Sequence, residues 1–181
     1  MVAWLELMRP KNLVLGAITV PLGAAFTLQG QIVDEMLIIS LQTIAVMLFI
    51  GAGNVMNDIK DFEIDKLAHP NRPLPSQQIS LIAATKFSWI LWALSILCLV
   101  SGAYFSMDFD LWWATIIIYA IAVVLMVSYD HGPKTKEMGL QGNIAISLMV
   151  AAVIIYGASS VGGLLNPLIW WVSGVVFFTN L

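Results

Sequence analysis

Gly53-Asn54-Val55-Met56-Asn57-Asp58-Ile59-Lys60-Asp61-Phe62-Glu63-Ile64-Asp65 closes an apolar block that opens near residue 36. A membrane-spanning helix takes about 20 residues, and residues 36–57 supply that length. In lipid the backbone must satisfy its own polar groups, so the block is expected to be helical. Continued at about 100° per residue, the helix brings Asp58, Asp61 and Asp65 onto one face. Asn54 and Asn57 fall on the same side and Glu63 points away. Carboxylates packed together repel, and each is costly to desolvate near a membrane. A cation is expected to offset that cost. Magnesium fits best, because it takes carboxylate oxygens, keeps some waters and is completed by substrate phosphates. The expected metal set is Asp58, Asp61 and Asp65 with Asn57. The plain alternative is a solvated acidic loop. Against it stand three acids in register, two asparagines beside them and basic residues directly after.

Working outward, six apolar blocks cover about 12–30, 36–57, 80–105, 110–129, 142–165 and 167–181. None alternates apolar and polar residues as a membrane strand does. Hydrophobic residues form 60% of the chain and charged residues 10%, far fewer charges than a water-facing surface carries. The expected fold is all-α: a polytopic membrane bundle, with residues 1–181 forming a single transmembrane domain. No basic patch suggests nucleic acid, and the membrane lipids are the surrounding partner. The lone cysteine, Cys98, lies inside an apolar block and is expected to pack as a small hydrophobe. The run from Leu13 to Leu28 is long for a signal core, so it reads as an uncleaved first membrane helix. The last block, opening at Pro167, is short for a crossing.

The basic residues set an orientation. Arg9, Lys11, Lys60, Lys66, Arg72, Lys86, Lys134 and Lys136 fall on one side of the expected bundle, whereas Asp34, Glu35, Asp108 and Asp110 fall on the other. The positive-inside rule places the N-terminus and the long loop in the cytoplasm, and Trp112-Trp113 and Trp170-Trp171 mark the opposite interface. The long loop continues His69-Pro70-Asn71-Arg72-Pro73-Leu74-Pro75-Ser76. Its prolines restrict the backbone and present Arg72, whose planar fork suits paired phosphate oxygens. Tyr129, Lys134 and Lys136 come to the same side from the loop between the fourth and fifth blocks. Either lysine can neutralise a leaving group, and either can serve as a positive-inside anchor. His69 and His131 have no partner at metal-ligand spacing.

Asn57-Asp58-x-x-Asp61-x-x-x-Asp65 resembles the first aspartate-rich motif of the UbiA superfamily of intramembrane prenyltransferases. Arg72-Pro73-Leu74-Pro75-Ser76 is similar to the segment that follows it in that family. Glu6-Leu7-Met8-Arg9-Pro10-Lys11-Asn12 resembles the family's N-terminal signature, and Tyr129 with Lys134 and then Gly142-Asn143 resembles its later loop. One arginine of the family's loop is missing in Ala68-His69-Pro70-Asn71-Arg72-Pro73. The family has nine membrane helices and a second aspartate motif after the sixth. About six helices are expected here, so the chain reads as the N-terminal two-thirds of an enzyme.

The resemblance implies magnesium-dependent transfer of a prenyl group from a prenyl diphosphate to a lipid acceptor. Asp58, Asp61, Asp65, Lys134 and Tyr129 are then the expected catalytic set. Asn54, Asn57, Arg72, Lys136, Asn12 and Asn143 are the expected substrate-binding set. The Arg-Pro-Lys-Asn opening and the Gly-Asn pair are most similar to the archaeal ether-lipid branch. That implies a geranylgeranyl donor and geranylgeranylglyceryl phosphate as acceptor. An aromatic acceptor, as in quinone or haem biosynthesis, is the alternative within the family. Outside it, a cation transporter would need its acids near the midplane on broken helices, and a CDP-alcohol phosphotransferase would need Asp-Gly and Ala-Arg pairs that are missing here. The residues leave the oligomeric state open.

Overall fold

A computed structural model of the chain describes residues 2–28, 32–106, 109–130 and 138–181. The short helix α1 (Val2–Leu7) turns at Arg9 into α2 (Pro10–Leu28). Next come α3 (Met36–Lys60), the one-and-a-half-turn α4 (Phe62–Ala68), α5 (Leu81–Ser106) and α6 (Phe109–Asp130). The last two are α7 (Leu140–Ser159) and α8 (Pro167–Asn180), joined through a 3₁₀ turn at Gly163–Leu165. Among the described residues every expected apolar block is largely helical, and no strand occurs. Four of the helices (α2, α3, α5 and α7) are long and apolar enough to cross a membrane, while α8 and the apolar part of α6 are shorter. Large apolar side chains such as Trp89, Leu97, Val124 and Phe178 point outward, as lipid allows and water does not. The molecule is a polytopic helical membrane bundle.

α3 is the central helix. It packs most extensively against α5, and α2 packs against both α3 and α7. Within lipid, helices associate by close packing and interhelical hydrogen bonds, and both occur here. The Ser95 hydroxyl donates to the Ala45 carbonyl at 2.6 Å, tying α5 to α3. Ser173 donates to the Ala151 carbonyl at 2.9 Å, tying α8 to α7. Gly23 and Gly157 let α2 and α7 touch backbone to backbone. A Cβ at Gly23 would lie 2.3 Å from the Ile154 carbonyl oxygen, and one at Gly157 would lie 2.2 Å from that of Val20.

Two features depart from the linear pattern. The helix carrying the acids is not continuous: α3 ends at Lys60, and Asp61 has φ −84° and ψ 7° before α4 starts. Helical hydrogen bonding still bridges the break, from the Asp61 N–H to the Asn57 carbonyl and from the Asp65 N–H to the Asp61 carbonyl. The expected register is therefore almost kept. Asp58 and Asp65 are buried, Asp61 is half-buried, and Glu63 is exposed and paired with Lys66 at 2.8 Å. The block 142–165 also splits, because Gly162 adopts φ 80° and ends the helical run, as a left-handed residue past a helix end commonly does.

Candidate active site

The loop after α4 is anchored by its apolar residues. Leu74 and Ile79 are buried in a cluster with Leu7, Val55 and Leu91, and the Ile79 N–H reaches the Pro73 carbonyl at 3.2 Å. This anchoring presents Arg72 to the acidic segment, where its Nη1 donates to Asp65 Oδ2 at 2.6 Å. A second arginine makes the matching contact from the other side. Arg9, at the α1–α2 turn, donates from Nη2 to Asp58 Oδ1 at 2.5 Å. Its φ of 56° is uncommon for a residue with a side chain, and the turn it makes aims the guanidinium at α3. Asp58 is 7% exposed at its side chain, so the arginine compensates a carboxylate that would otherwise be buried without a countercharge. Asn54 donates to the Met8 carbonyl at 2.9 Å, fixing the same turn to α3.

Beside these pairs a cavity of about 560 Å³ opens between α2 and α3 on one side and α6 and α7 on the other. Its mouth is polar: Arg9, Asn12, Asn54, Asn57, Asp61 and Tyr129. Its shaft is apolar, through residues such as Leu15, Ile50, Ala122 and Val153. On α3 the lining runs from Asn57 to Val46, about 16 Å at 1.5 Å rise per residue. The deep end holds the rings of Phe49, Tyr119 and Tyr156.

The site residues expected from sequence therefore divide by place. Asn12, Asn54, Asn57, Asp61 and Tyr129 line the mouth. Asp58, Asp65 and Arg72 stand behind it in ion pairs. Asn143 is exposed in the first turn of α7. Lys134, Lys136 and His131 lie outside the described residues. Two contributions went unread. Arg9 was counted as a topogenic charge and as part of the N-terminal signature, and not as a partner of the acids. Tyr119 and Tyr156 were not singled out in the sequence, although a hydroxyl in mid-membrane asks for a partner.

Among the described residues no three acidic, histidine or cysteine side chains converge as a ready metal cage. The donor chemistry nonetheless suits magnesium. Asp58 and Asp65 each give one oxygen to an arginine, and a carboxylate keeps further lone pairs. Asn57 and Asp61 add oxygens at the cavity wall. Such an incomplete oxygen set is the usual kind for an ion that substrate phosphates complete.

The site thus sets a charged mouth over an apolar shaft inside a helical membrane bundle. The chain belongs to the UbiA prenyltransferase family, whose pattern it matches over residues 16–181. It is 35% identical over 162 residues to digeranylgeranylglyceryl phosphate synthase of Methanococcus aeolicus, covering 88% of this chain and 52% of that one. The protein of the same name from Sulfolobus acidocaldarius is 30% identical, over 98% of this chain and 59% of that one. A solved structure from work on digeranylgeranylglyceryl phosphate synthase in membranes superposes with a TM-score of 0.76 at 29% identity. That superposition covers 98% of this chain and 57% of the other. The chain spans about half the length of the curated relatives it matches.

Proposed function

We propose that this chain serves a magnesium-dependent prenyl transfer from a prenyl diphosphate to a lipid hydroxyl, with a geranylgeranyl donor and geranylgeranylglyceryl phosphate as acceptor. The observation that carries the reading is the polar mouth set on an apolar shaft, and the shared name of the relatives supports the choice of substrates. In this reading residues 1–181 act as one membrane domain with the mouth on the cytoplasmic side.

The diphosphate sits at the mouth and the prenyl tail in the shaft. Asp58, Asp61 and Asp65, with Asn57, hold magnesium, which when bound neutralises the diphosphate and favours its departure. Arg9 and Arg72 leave their carboxylates to share the diphosphate charge, with Lys134 or Lys136 from the later loop. Asn12, Asn54, Asn143 and Tyr129 orient the polar ends of the two substrates. The donor's C1–O bond breaks with both electrons going to diphosphate. The resulting allylic cation is shielded from water by the apolar wall. The acceptor hydroxyl oxygen then bonds to C1 and its proton passes to the released diphosphate.

The test is transfer of radiolabelled geranylgeranyl diphosphate to geranylgeranylglyceryl phosphate in membranes from cells expressing the gene. Product is expected with magnesium and not in EDTA. Asp61→Ala should lower turnover by about 100-fold or more, the scale of losing one group that stabilises developing charge. Glu63→Ala, which faces away, should leave turnover near parental. Full turnover in EDTA would overturn the reading.

A further inference from the structure

The cavity ends in a floor, and the floor is made of two tyrosines held in place. On each wall the lining runs from the mouth to a deepest residue: Thr19 on α2, Val46 on α3, Tyr119 near the end of the α6 wall and Tyr156 on α7. Tyr129 and Tyr119 are ten positions apart on α6, about 15 Å along the axis. The Tyr119 ring meets Phe49 edge-on at 5.2 Å between centroids and lies 6.5 Å from the ring of Tyr156. Both tyrosines are buried, at 7% and 3% exposure.

Their hydroxyls are tied into the bundle beneath the shaft. Tyr119 and Ser95 share a hydrogen bond of 2.8 Å, and Ser95 donates onward to the Ala45 carbonyl. Tyr156 donates to Gln42 Oε1, and the Gln42 amide donates to the Leu99 carbonyl at 3.2 Å. A ring held only by packing can swing aside for a longer guest. A ring whose hydroxyl is bonded to a second, itself anchored, side chain gives up that bond if it moves, and an unmet polar group in an apolar setting is expensive. The two anchors come from α3 and α5, the most extensively packed helix pair.

We propose that Tyr119 and Tyr156 measure the prenyl tail: the rings stop the shaft at the depth that admits a geranylgeranyl chain and exclude donors one isoprene unit longer. The inference rests on the prenyl-transfer reading above. It gives these residues a role in specificity, through contact with the tail's far end, and none at the reacting atoms.

The experiment compares kcat/KM for farnesyl, geranylgeranyl and the next longer prenyl diphosphate in membranes expressing the parent gene or a variant. The parent should prefer geranylgeranyl diphosphate. Tyr156→Ala, and Tyr119→Ala with it, should raise the ratio of longer donor to geranylgeranyl by about tenfold or more, the scale on which shape discriminates between apolar groups. Tyr156→Phe keeps the ring but frees it from Gln42, and should raise the ratio less than Tyr156→Ala does. Val153→Phe narrows the shaft above the floor and should shift preference toward farnesyl diphosphate. It carries the test alone if the alanine variants do not accumulate. A purely structural role would lower all donors together and leave the ratios unmoved, and that result overturns the proposal. A parent that transfers none of the three donors overturns the prenyl-transfer reading instead, and the two failures are thereby told apart.

Discussion

Arg9 shows how much one side chain can do for a membrane site. It lies at the turn between α1 and α2, in a backbone conformation that residues with a Cβ seldom adopt, and reaches across to the buried Asp58. The pair joins segments that are distant in sequence, and Arg72 makes the equivalent contact with Asp65 from the opposite flank. Both carboxylates are thus neutralised one by one. A double-mutant cycle measures the first of these bonds. Arg9→Ala and Asp58→Ala should each destabilise the protein in detergent. The double variant should fall short of their sum by about 1–3 kcal/mol, as expected for a charge-assisted bond to a buried group. Strict additivity would show that the contact contributes nothing. Sequence spacing identified Asp58, Asp61 and Asp65 as a group, because helical periodicity survives the break at Asp61 almost intact. It could not identify Arg9 as their partner, because pairing between α2 and α3 is a tertiary fact with no local signature.

At the scale of elements, existence was legible and association was not. Each apolar block became a helix because lipid offers the backbone no other partner. The stop at Asp61 has no glycine or proline to announce it. The faces that meet were hidden for a related reason: on α5 the buried side is marked only by small residues such as Ala84, Ser88, Ser95 and Gly102, and not by a contrast of apolar against charged. What decides the α2–α7 contact is two small residues. Gly23→Val or Gly157→Val would press side-chain carbon into the opposite carbonyl and should cost about 1–3 kcal/mol or more through forced separation. The check is a lower unfolding midpoint in detergent. Gly174→Ala serves as the control, since nothing lies within 4 Å of the carbon it adds. Equal midpoints for all of these variants would show that the close approach is not needed.

For the molecule as a whole, composition alone fixed the solvent. A chain with 10% charged residues has too few to cover itself in water, and its outward face is correspondingly apolar. Orientation depends on asymmetry of the basic residues, which the loops display plainly. In a Cys98→Ala background, a cysteine at Asp34 should react with an impermeant thiol reagent added outside intact cells, and one at Lys66 should not. The opposite pattern would reverse the orientation and put the mouth of the cavity outside the cell. The shape of the cavity was not legible in the sequence. It is a space between four helices whose lining residues follow no shared pattern, and only their assembly shows that one end is polar and the other apolar and aromatic.

The glycine contact between α2 and α7 also has a meaning in time. Synthesis at roughly 5–20 residues per second leaves about 7–27 s between the emergence of Gly23 and that of Gly157, some 130 residues later. During that interval α2 has left the ribosome and the helix it is shaped to meet has not been made. Its glycine face must be kept from other small-residue faces, either by lipid or by the machinery that inserts the chain. The wall of the cavity built from α2 and α3 is therefore born early, and the wall built from α6 and α7 arrives later. Until α7 docks there is no shaft at all, only a groove open to the bilayer with the charged turn of Arg9 at its end.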